Sequence, residues 1–152
     1  MAWWPSFYEL KKGIGCEMCE QGRPEETEYG VRIRAGEHSD SYLQKAGFTR
    51  GYCVVIWRGR HVVEPTELTD EEAASYWLDI VRVGRALETH LQPVKLNFEL
   101  LGNGLPHLHA HVVPRYAEDP RPGWPLEFEE NPEPRDDAEL RADAEALRAL
   151  LR

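Results

Sequence analysis

The sequence predicts an α+β fold: an antiparallel sheet of about five strands, one main helix packed on it, and a further helix at the C-terminal end. Residues 52–57 are almost all apolar and rich in β-branched side chains, which is typical of a strand covered on both faces. Residues 67–91 repeat apolar side chains at three- and four-residue steps, as an amphipathic helix does. Residues 107–112 alternate histidine with apolar side chains, which is the period of a strand.

The remaining elements carry local signals. Thr69 and Glu72 have the spacing of a capping box at the start of the helix. Glycines 102 and 104 predict a turn that joins a strand at 95–101 to the histidine strand as an antiparallel hairpin. The other two predicted strands are 28–34 and a short one that begins at Tyr42.

We expect a single domain over residues 1–152, because this length buries one substantial core. Its central part is 16–116. The five prolines between 120 and 134 predict an irregular segment over 117–135. Residues 136–152 then predict a helix with one apolar side, which either docks on the body or frays. The aromatic cluster near the start is expected to pack as a tail, across a subunit boundary if there is one; it comprises Trp3, Trp4, Phe7 and Tyr8.

The composition excludes several classes of protein. A net charge of −9 argues against nucleic acid as the main partner, although one pocket of an acidic protein can still hold a small phosphorylated ligand. No apolar run is long enough to span a membrane, and the first residues do not match a secretory signal. Three cysteines, an odd number, favour metal or redox chemistry in a reducing compartment over a disulfide framework. We therefore expect a soluble cytoplasmic protein.

Three histidines at alternate positions dominate the chemistry of the chain. On a strand, His107, His109 and His111 share one face, while the intervening apolar residues face the core. Such a row of imidazoles can bind a metal, attack an electrophile or hold an anion. A neutral imidazole is a competent nucleophile near pH 7, provided that its second nitrogen has an acceptor, which we expect to be a backbone carbonyl.

Two metal sites are compatible with these residues. In the first, all three histidines bind one metal ion and leave its fourth coordination position open for a hydrolytic water. This arrangement would give the cysteine pair no role. Alternatively, Cys16 and Cys19 share a closed tetrahedral zinc site with His61 and His107, which frees the other two histidines for chemistry. A third interpretation makes the cysteines a redox pair or two unrelated thiols. His38 and His90 are weaker ligand candidates.

The segment 102–115 closely resembles the signature of the histidine triad (HIT) family, His-x-His-x-His with apolar x, and the order of elements over 16–116 agrees. The resemblance implies the zinc-bearing C-x-x-C type, with structural zinc held by Cys16, Cys19, His61 and His107. It implies that His109 is a nucleophile that becomes nucleotidylated and that His111 hydrogen-bonds the phosphate or the leaving oxygen. It further implies a homodimer.

The resemblance also matches Asn97 to the asparagine of the family's strand and places Asn103 where many members have a longer glutamine. From the residues themselves, amides of the glycine turn such as Gly104 can donate to a phosphoryl group, and Arg115 either adds charge there or forms a structural ion pair. Members that grip a ribose often carry an acid before the apolar strand. Here Asp40 is near that place but out of register.

We therefore expect a nucleotide hydrolase that cleaves a phosphoanhydride or phosphoramidate. A dinucleoside polyphosphate or an adenosine 5′-phosphoryl compound is the expected substrate class. A nucleotidyltransferase or phosphorylase would use the same covalent intermediate, and a non-catalytic, zinc-stabilised nucleotide-binding protein would use none.

Overall fold

The computed structural model describes residues 3–129 and 131–152, so Met1, Ala2 and Glu130 of the predicted domain lie outside the described residues. Within them the chain forms a five-stranded antiparallel sheet with helices packed on it, which confirms the predicted α+β fold. The strand order is β1-β2-β3-β5-β4. The strands are β1 Gly30–Ala35, β2 Ser39–Gln44, β3 Cys53–Trp57, β4 Lys95–Glu99 and β5 His109–Arg115. The helices are α1 Pro5–Lys11, α2 Glu17–Glu20, α3 Asp70–Leu91 and α4 Asp137–Leu150.

The main helix begins three residues later than the apolar pattern suggests, because Pro65–Glu67 form a separate 3-10 turn. The predicted capping box is confirmed. The amide of Glu72 donates to Thr69 Oγ1 at 3.2 Å, and the amide of Thr69 donates to Glu72 Oε2 at 2.9 Å. No helix among the described residues is long and apolar enough to cross a membrane.

Strand β2 is six residues long, whereas the sequence predicts only a short strand around Tyr42. The extension was missed because its first residues are polar, yet they are buried and paired. Ser39 donates to Asp79 at 2.7 Å, and Asp40 accepts from Arg58 at 2.9 Å. Satisfied polar groups of this kind can sit inside a sheet at little cost.

The predicted aromatic tail is in fact helix α1, with Trp3 and Trp4 just before it. Trp3 stacks on Phe7 with ring centroids 4.6 Å apart, while Trp3, Trp4 and Tyr8 are each about half exposed. The subunit boundary and the homodimer expected from the sequence stay predictions.

The two faces of the sheet are used differently. Helices α3 and α4 pack on one face, where the larger apolar core lies, around buried residues such as Val55, Ile80 and Leu87. The opposite face carries a smaller cluster of buried side chains: Tyr42, Tyr52, Val54, Ile56 and Val113. In the described part of the chain no long helix covers this second face, and two cavities lie against it.

Helix α4 docks on the body. Leu140, Ala144 and Leu147 are almost completely buried in the main core, which resolves the choice between docking and fraying. Beside them the buried Asp143 accepts hydrogen bonds from three cationic or ionisable groups, Arg50, Arg135 and His90, at 2.7–2.9 Å. Burial alone would raise the pKa of Asp143, but these partners hold it well below its ordinary value.

Replacing Asp143 tests this docking. Asp143→Ala is expected to lower the free energy of unfolding by about 3 kcal/mol, because Arg50, Arg135 and His90 all lose their shared buried acceptor. Asp137→Ala removes an exposed carboxylate from the same helix and is expected to cost less than about 1 kcal/mol. Urea denaturation compares the two. Equal losses would show that α4 does not depend on the buried pair.

Candidate functional site

Strand β5 places two of the three predicted histidines on the open face of the sheet. It begins at His109, later than the sequence indicates, and His107 lies in the bend just before it. His109 pairs with Ile56 and His111 pairs with Val54 of β3, so each imidazole stands beside an apolar side chain. Their rings are 4.9 Å apart.

The backbone fixes the tautomer of His109. Its Nδ1 lies 2.6 Å from the carbonyl oxygen of His107, so we assign the proton to Nδ1 and the lone pair to Nε2. The acceptor is the backbone carbonyl that the sequence predicts. Burial lowers the pKa of His109, and the hydrogen bond offsets this only in part. The imidazole is therefore neutral near pH 7, as a nucleophile must be.

A tyrosine fixes the tautomer of His111 in the opposite sense. The hydroxyl of Tyr52 lies 2.7 Å from Nδ1, and the two rings stack with centroids 5.9 Å apart. Burial raises the pKa of Tyr52, so the phenol keeps its proton, and we assign that proton as donated to Nδ1. His111 then presents Nε2–H as a donor. Burial and the neighbouring His109 lower the pKa of His111 to about 4, which keeps it neutral.

Two cavities meet at these histidines. The inner lobe, about 290 Å³, lies over the apolar cluster and is lined by residues such as Met18, Tyr29 and Ile56. The outer lobe, about 420 Å³, lies under the turn between β4 and β5. Both lobes share Gln44, Tyr52, Leu105, His109 and His111. A substrate whose bond is broken beside His109 would therefore have room for one of its two parts in each lobe.

The structure divides the four predicted substrate-binding residues. Asn103 and Gly104 line the outer lobe with the histidines. Asn97 and Arg115 instead line a separate groove along the edge strand β4, because Asn97 pairs with Val113, beyond His111. Arg115 donates to Asn97 Oδ1 at 2.7 Å and to the carboxylate of Asp119, as in the structural alternative considered above.

The four predicted metal ligands lie together. Their ligand atoms are all within 4.8 Å of one another. Cys16 Sγ is 3.4 Å from His107 Nδ1, and Cys19 Sγ is 3.3 Å from His61 Nδ1. A tetrahedral zinc ion with ordinary bond lengths would hold sulfur and nitrogen about 3.6 Å apart, so this donor set fits such an ion.

The surroundings of the cluster support the fit. His107 Nε2 donates to the carbonyl oxygen of Trp57 at 2.7 Å, which leaves Nδ1 free to bind a metal. The single-turn helix α2 follows Cys16 directly and brings Cys19 to the same side. A Cβ atom at Gly13 would lie only 3.1 Å from the ring of His61. Because glycine has no side chain, the loop can pack closely against the cluster. Imidazole beside each thiol favours a metal site over a redox pair.

Several lining residues were not found from the sequence. Tyr52 alternates with Val54 and Ile56, so its place on the histidine face follows from the period of the strand once the pairing of β3 with β5 is known. Phe128 lies in the irregular segment, where an aromatic side chain predicts attachment to the surface but no strand period places it on the histidine face. Asp40 is bound to Arg23 and Arg58 and takes no part in the lining of either lobe.

With this geometry in place, comparison with known proteins identifies the family. The family model described as HIT domain matches residues 28–118. More than half of the chain is matched, and the chain therefore belongs to the HIT domain family.

Two curated relatives support this placement. The protein named hit from Bacillus subtilis is 29% identical over 93 residues, which are 58% of this chain and 63% of that protein. The bifunctional bis(5′-adenosyl)-triphosphatase/adenylylsulfatase FHIT of Arabidopsis thaliana is 32% identical over 71 residues, 43% of this chain and 39% of that protein. The chain thus spans less than two thirds of each relative.

Solved structures extend the likeness further along the chain. A histidine triad protein from Bradyrhizobium japonicum is 29% identical with a TM-score of 0.72, over 82% of this chain and 92% of that one. A Zn-bound histidine triad family protein from Mycobacterium smegmatis is 26% identical with a TM-score of 0.62, over 91% of both chains.

The tautomer of His111 can be tested directly. In Tyr52→Phe the Nδ1 atom loses its donor, so we expect its ¹⁵N resonance to shift toward the average of both tautomers. Tyr116→Phe removes a phenol that donates to the carbonyl of Arg50, outside both lobes, and is expected to leave His111 unchanged. Nitrogen-detected NMR of the imidazoles makes the measurement. An unchanged His111 spectrum in Tyr52→Phe would contradict the assignment.

Proposed function

We propose that the protein is a nucleotide hydrolase that acts through a covalent nucleotidyl-histidine at His109. Its expected substrates are a dinucleoside polyphosphate or an adenosine 5′-phosphoryl compound, cleaved at a phosphoanhydride or phosphoramidate bond. The observation that carries the proposal is the 2.6 Å contact between Nδ1 of His109 and the carbonyl oxygen of His107. This contact occupies Nδ1, so the lone pair of His109 stands on Nε2 where the two lobes meet.

The first step is attack by Nε2 of His109 on the α-phosphorus. A phosphorus–nitrogen bond forms, and the bond from phosphorus to the leaving group breaks. The leaving group takes the electron pair of that bond and a proton from water. A covalent step of this kind divides one difficult displacement into two easier ones.

In the second step water attacks the same phosphorus. The phosphorus–nitrogen bond breaks, its electron pair returns to Nε2, and a nucleoside monophosphate leaves while the water releases a proton. In both steps negative charge develops on the phosphoryl oxygens. Hydrogen-bond donors that are already in place stabilise this charge in the transition state and so lower the barrier. His111 Nε2–H, the Asn103 amide and the backbone amide of Gly104 are the proposed donors, since all three residues line the outer lobe.

The family and one relative support this reaction. HIT membership is shown, and the Arabidopsis relative is named as a triphosphatase and adenylylsulfatase. An intact nucleophile with a fixed tautomer also argues against the non-catalytic alternative, because binding alone would not require it.

Nucleotidyl transfer is the second candidate. The outer lobe, at about 420 Å³, has room for an acceptor much larger than water. Both reactions pass through the same intermediate, so products must separate them. Turnover with and without added inorganic phosphate or a sugar phosphate does so: hydrolysis predicts only the nucleoside monophosphate, and a dominant transfer product would replace our first choice.

We further propose that Cys16, Cys19, His61 and His107 hold a structural zinc ion. Four protein ligands close the coordination sphere, which is typical of a structural role, and the metal would supply stability by tying the N-terminal loop to the start of β5. The Zn-bound relative from Mycobacterium smegmatis supports the choice of zinc. Free thiols at all three cysteines suit a reducing compartment, and we propose the cytoplasm.

Substitution of the nucleophile tests the reaction. His109→Ala is expected to reduce turnover of an adenosine 5′-phosphoramidate by roughly a thousandfold or more, because the covalent route is lost. His38→Ala removes an imidazole outside both lobes and is expected to retain activity. Steady-state assays compare them, with circular dichroism to confirm folding. A His109→Ala variant that folds and keeps normal activity would refute the proposed nucleophile.

Zinc content tests the metal proposal. Elemental analysis of the purified protein is expected to give one zinc per chain, and Cys16→Ser to lose the metal and melt at a lower temperature. Cys53→Ala changes a cysteine that lies outside the cluster and should keep the metal. The proposal fails if wild-type protein prepared with added zinc binds none, or if Cys16→Ser binds and melts as the wild type does.

A further inference from the structure

A further cavity lies on the helix-covered side of the sheet, where α3, β1 and the end of α4 meet. Its volume is about 320 Å³, and it shares no lining residue with either lobe of the candidate site. Half of the residues that line it are arginines: Arg34, Arg82, Arg85 and Arg152. The others carry uncharged side chains: Ala86, Thr89, Leu150 and Leu151. We call this cavity the arginine pocket.

A buried carboxylate holds two of these arginines in place. Asp79 is only 3% exposed and accepts hydrogen bonds from Arg34 at 2.6 Å and from Arg82 at 3.1 Å. The hydroxyl of Ser39 donates to its second oxygen at 2.7 Å, which fixes the carboxylate. Each guanidinium uses one nitrogen for this bond, and its other nitrogens make no hydrogen bond within the described residues. Most of their donors are therefore left for a ligand.

The third arginine of the pocket has no partner of its own. Arg85 is exposed, and in the part of the chain that the structure describes its guanidinium makes no hydrogen bond or ion pair. It follows Arg82 by three residues on α3, so the two side chains are neighbours on the helix surface. Like charges at this spacing repel and destabilise the helix, and a bound anion would remove the repulsion.

The charge of the pocket is opposite to that of the whole protein. Asp79 offsets one of the four guanidinium charges, and the pocket stays positive even when the α-carboxylate of Arg152 is counted as well. The protein as a whole has a net charge of −9. A concave surface lined by one sign of charge concentrates the field and attracts ions of the other sign. By contrast, none of the described residues that line the two lobes of the candidate site is lysine or arginine.

A neighbouring depression extends the positive surface. It has a volume of about 380 Å³, shares Arg34 with the arginine pocket and is also lined by Arg32 and Arg148. Arg148 is already bound to the carbonyl oxygen of Arg32, at 2.9 and 3.0 Å, and Glu25 adds one carboxylate to the lining. The arginine pocket is therefore the part with the larger excess of unsatisfied donors.

The donors select the chemistry of the ligand. Guanidinium groups match the oxygens of phosphate with pairs of hydrogen bonds, and several of them around one cavity suit a compound with more than one phosphate group. Neither the arginine pocket nor the neighbouring depression has an aromatic side chain among its described lining residues, so a nucleobase would find no stacking partner. The negative charge of the whole protein also opposes a nucleic acid.

We propose that the arginine pocket is a binding site for a small compound that carries two or more phosphate groups, of which inorganic pyrophosphate is the simplest. Arg85 is the main recognition residue, and Arg34 and Arg82 bind beside it. The site lies on the side of the sheet opposite to His109, so the inference goes beyond the proposed function and does not depend on it.

Isothermal titration of the full chain with inorganic pyrophosphate, at constant ionic strength and without added divalent metal ions, tests the site. The wild type is expected to bind one pyrophosphate per chain and to bind orthophosphate more weakly. Arg85→Gln should weaken pyrophosphate binding roughly tenfold, which is the size of one charged hydrogen-bonded contact. Arg121→Gln changes the net charge equally but removes an exposed arginine that lines neither cavity, and it should bind as the wild type does.

Four results would overturn the proposal. They are a wild type that does not bind, an Arg85→Gln variant that binds as the wild type does, equal weakening in Arg85→Gln and Arg121→Gln, and loss of binding in His109→Ala. The last would place the anion at the candidate active site instead.

The arginines could alternatively serve only to stabilise the C-terminal ends of α3 and α4, where the helix dipole favours cations. In that case Arg85→Gln would lower the free energy of unfolding in urea and leave pyrophosphate binding unchanged.

Discussion

The candidate site depends on one short hydrogen bond, from Nδ1 of His109 to the carbonyl oxygen of His107. The residue that accepts it also provides an imidazole to the cysteine and histidine cluster, where its ring lies 3.4 Å from Cys16 Sγ and donates to Trp57. The backbone of one residue therefore orients the proposed nucleophile while its side chain anchors the loop below. We infer that the cluster contributes to chemistry indirectly, by fixing the peptide that fixes His109.

Burial gives the two histidines their chemical character. Taken out of water beside Val54 and Ile56, both imidazoles stay neutral, and each then has one nitrogen committed to a fixed partner. The partners differ, because His109 donates a hydrogen bond to a carbonyl oxygen and His111 accepts one from the Tyr52 hydroxyl. Two identical side chains two residues apart thus become a lone-pair donor and a hydrogen-bond donor. The same burial would penalise a highly charged substrate unless it brought its own counter-ions.

The sequence predicted what depends on local pattern. The sheet follows from the period of the strands, and the capping of α3 by Thr69 follows from the spacing of Thr69 and Glu72. The carbonyl acceptor for His109 follows from the need of a neutral imidazole to place its one proton. The structure contains all three features. What the sequence could not predict depends on long-range pairing. The register of β4 places Asn97 opposite Val113, where its side chain accepts from Arg115 rather than lying beside His109. The contact of Phe128 with His111 depends on bonds that no strand pattern contains, from Arg115 to the carbonyl of Trp124 and from the amide of Arg135 to the carbonyl of Lys45.

The most direct test of the account is the mass of the protein during turnover. Wild-type protein mixed with an adenosine 5′-phosphoramidate, quenched within milliseconds and digested, should contain one peptide heavier by an adenylyl group, with the added mass on His109. Rapid turnover with no adduct, or an adduct on another residue, would contradict the claim that the lone pair on Nε2 of His109 carries out the first displacement.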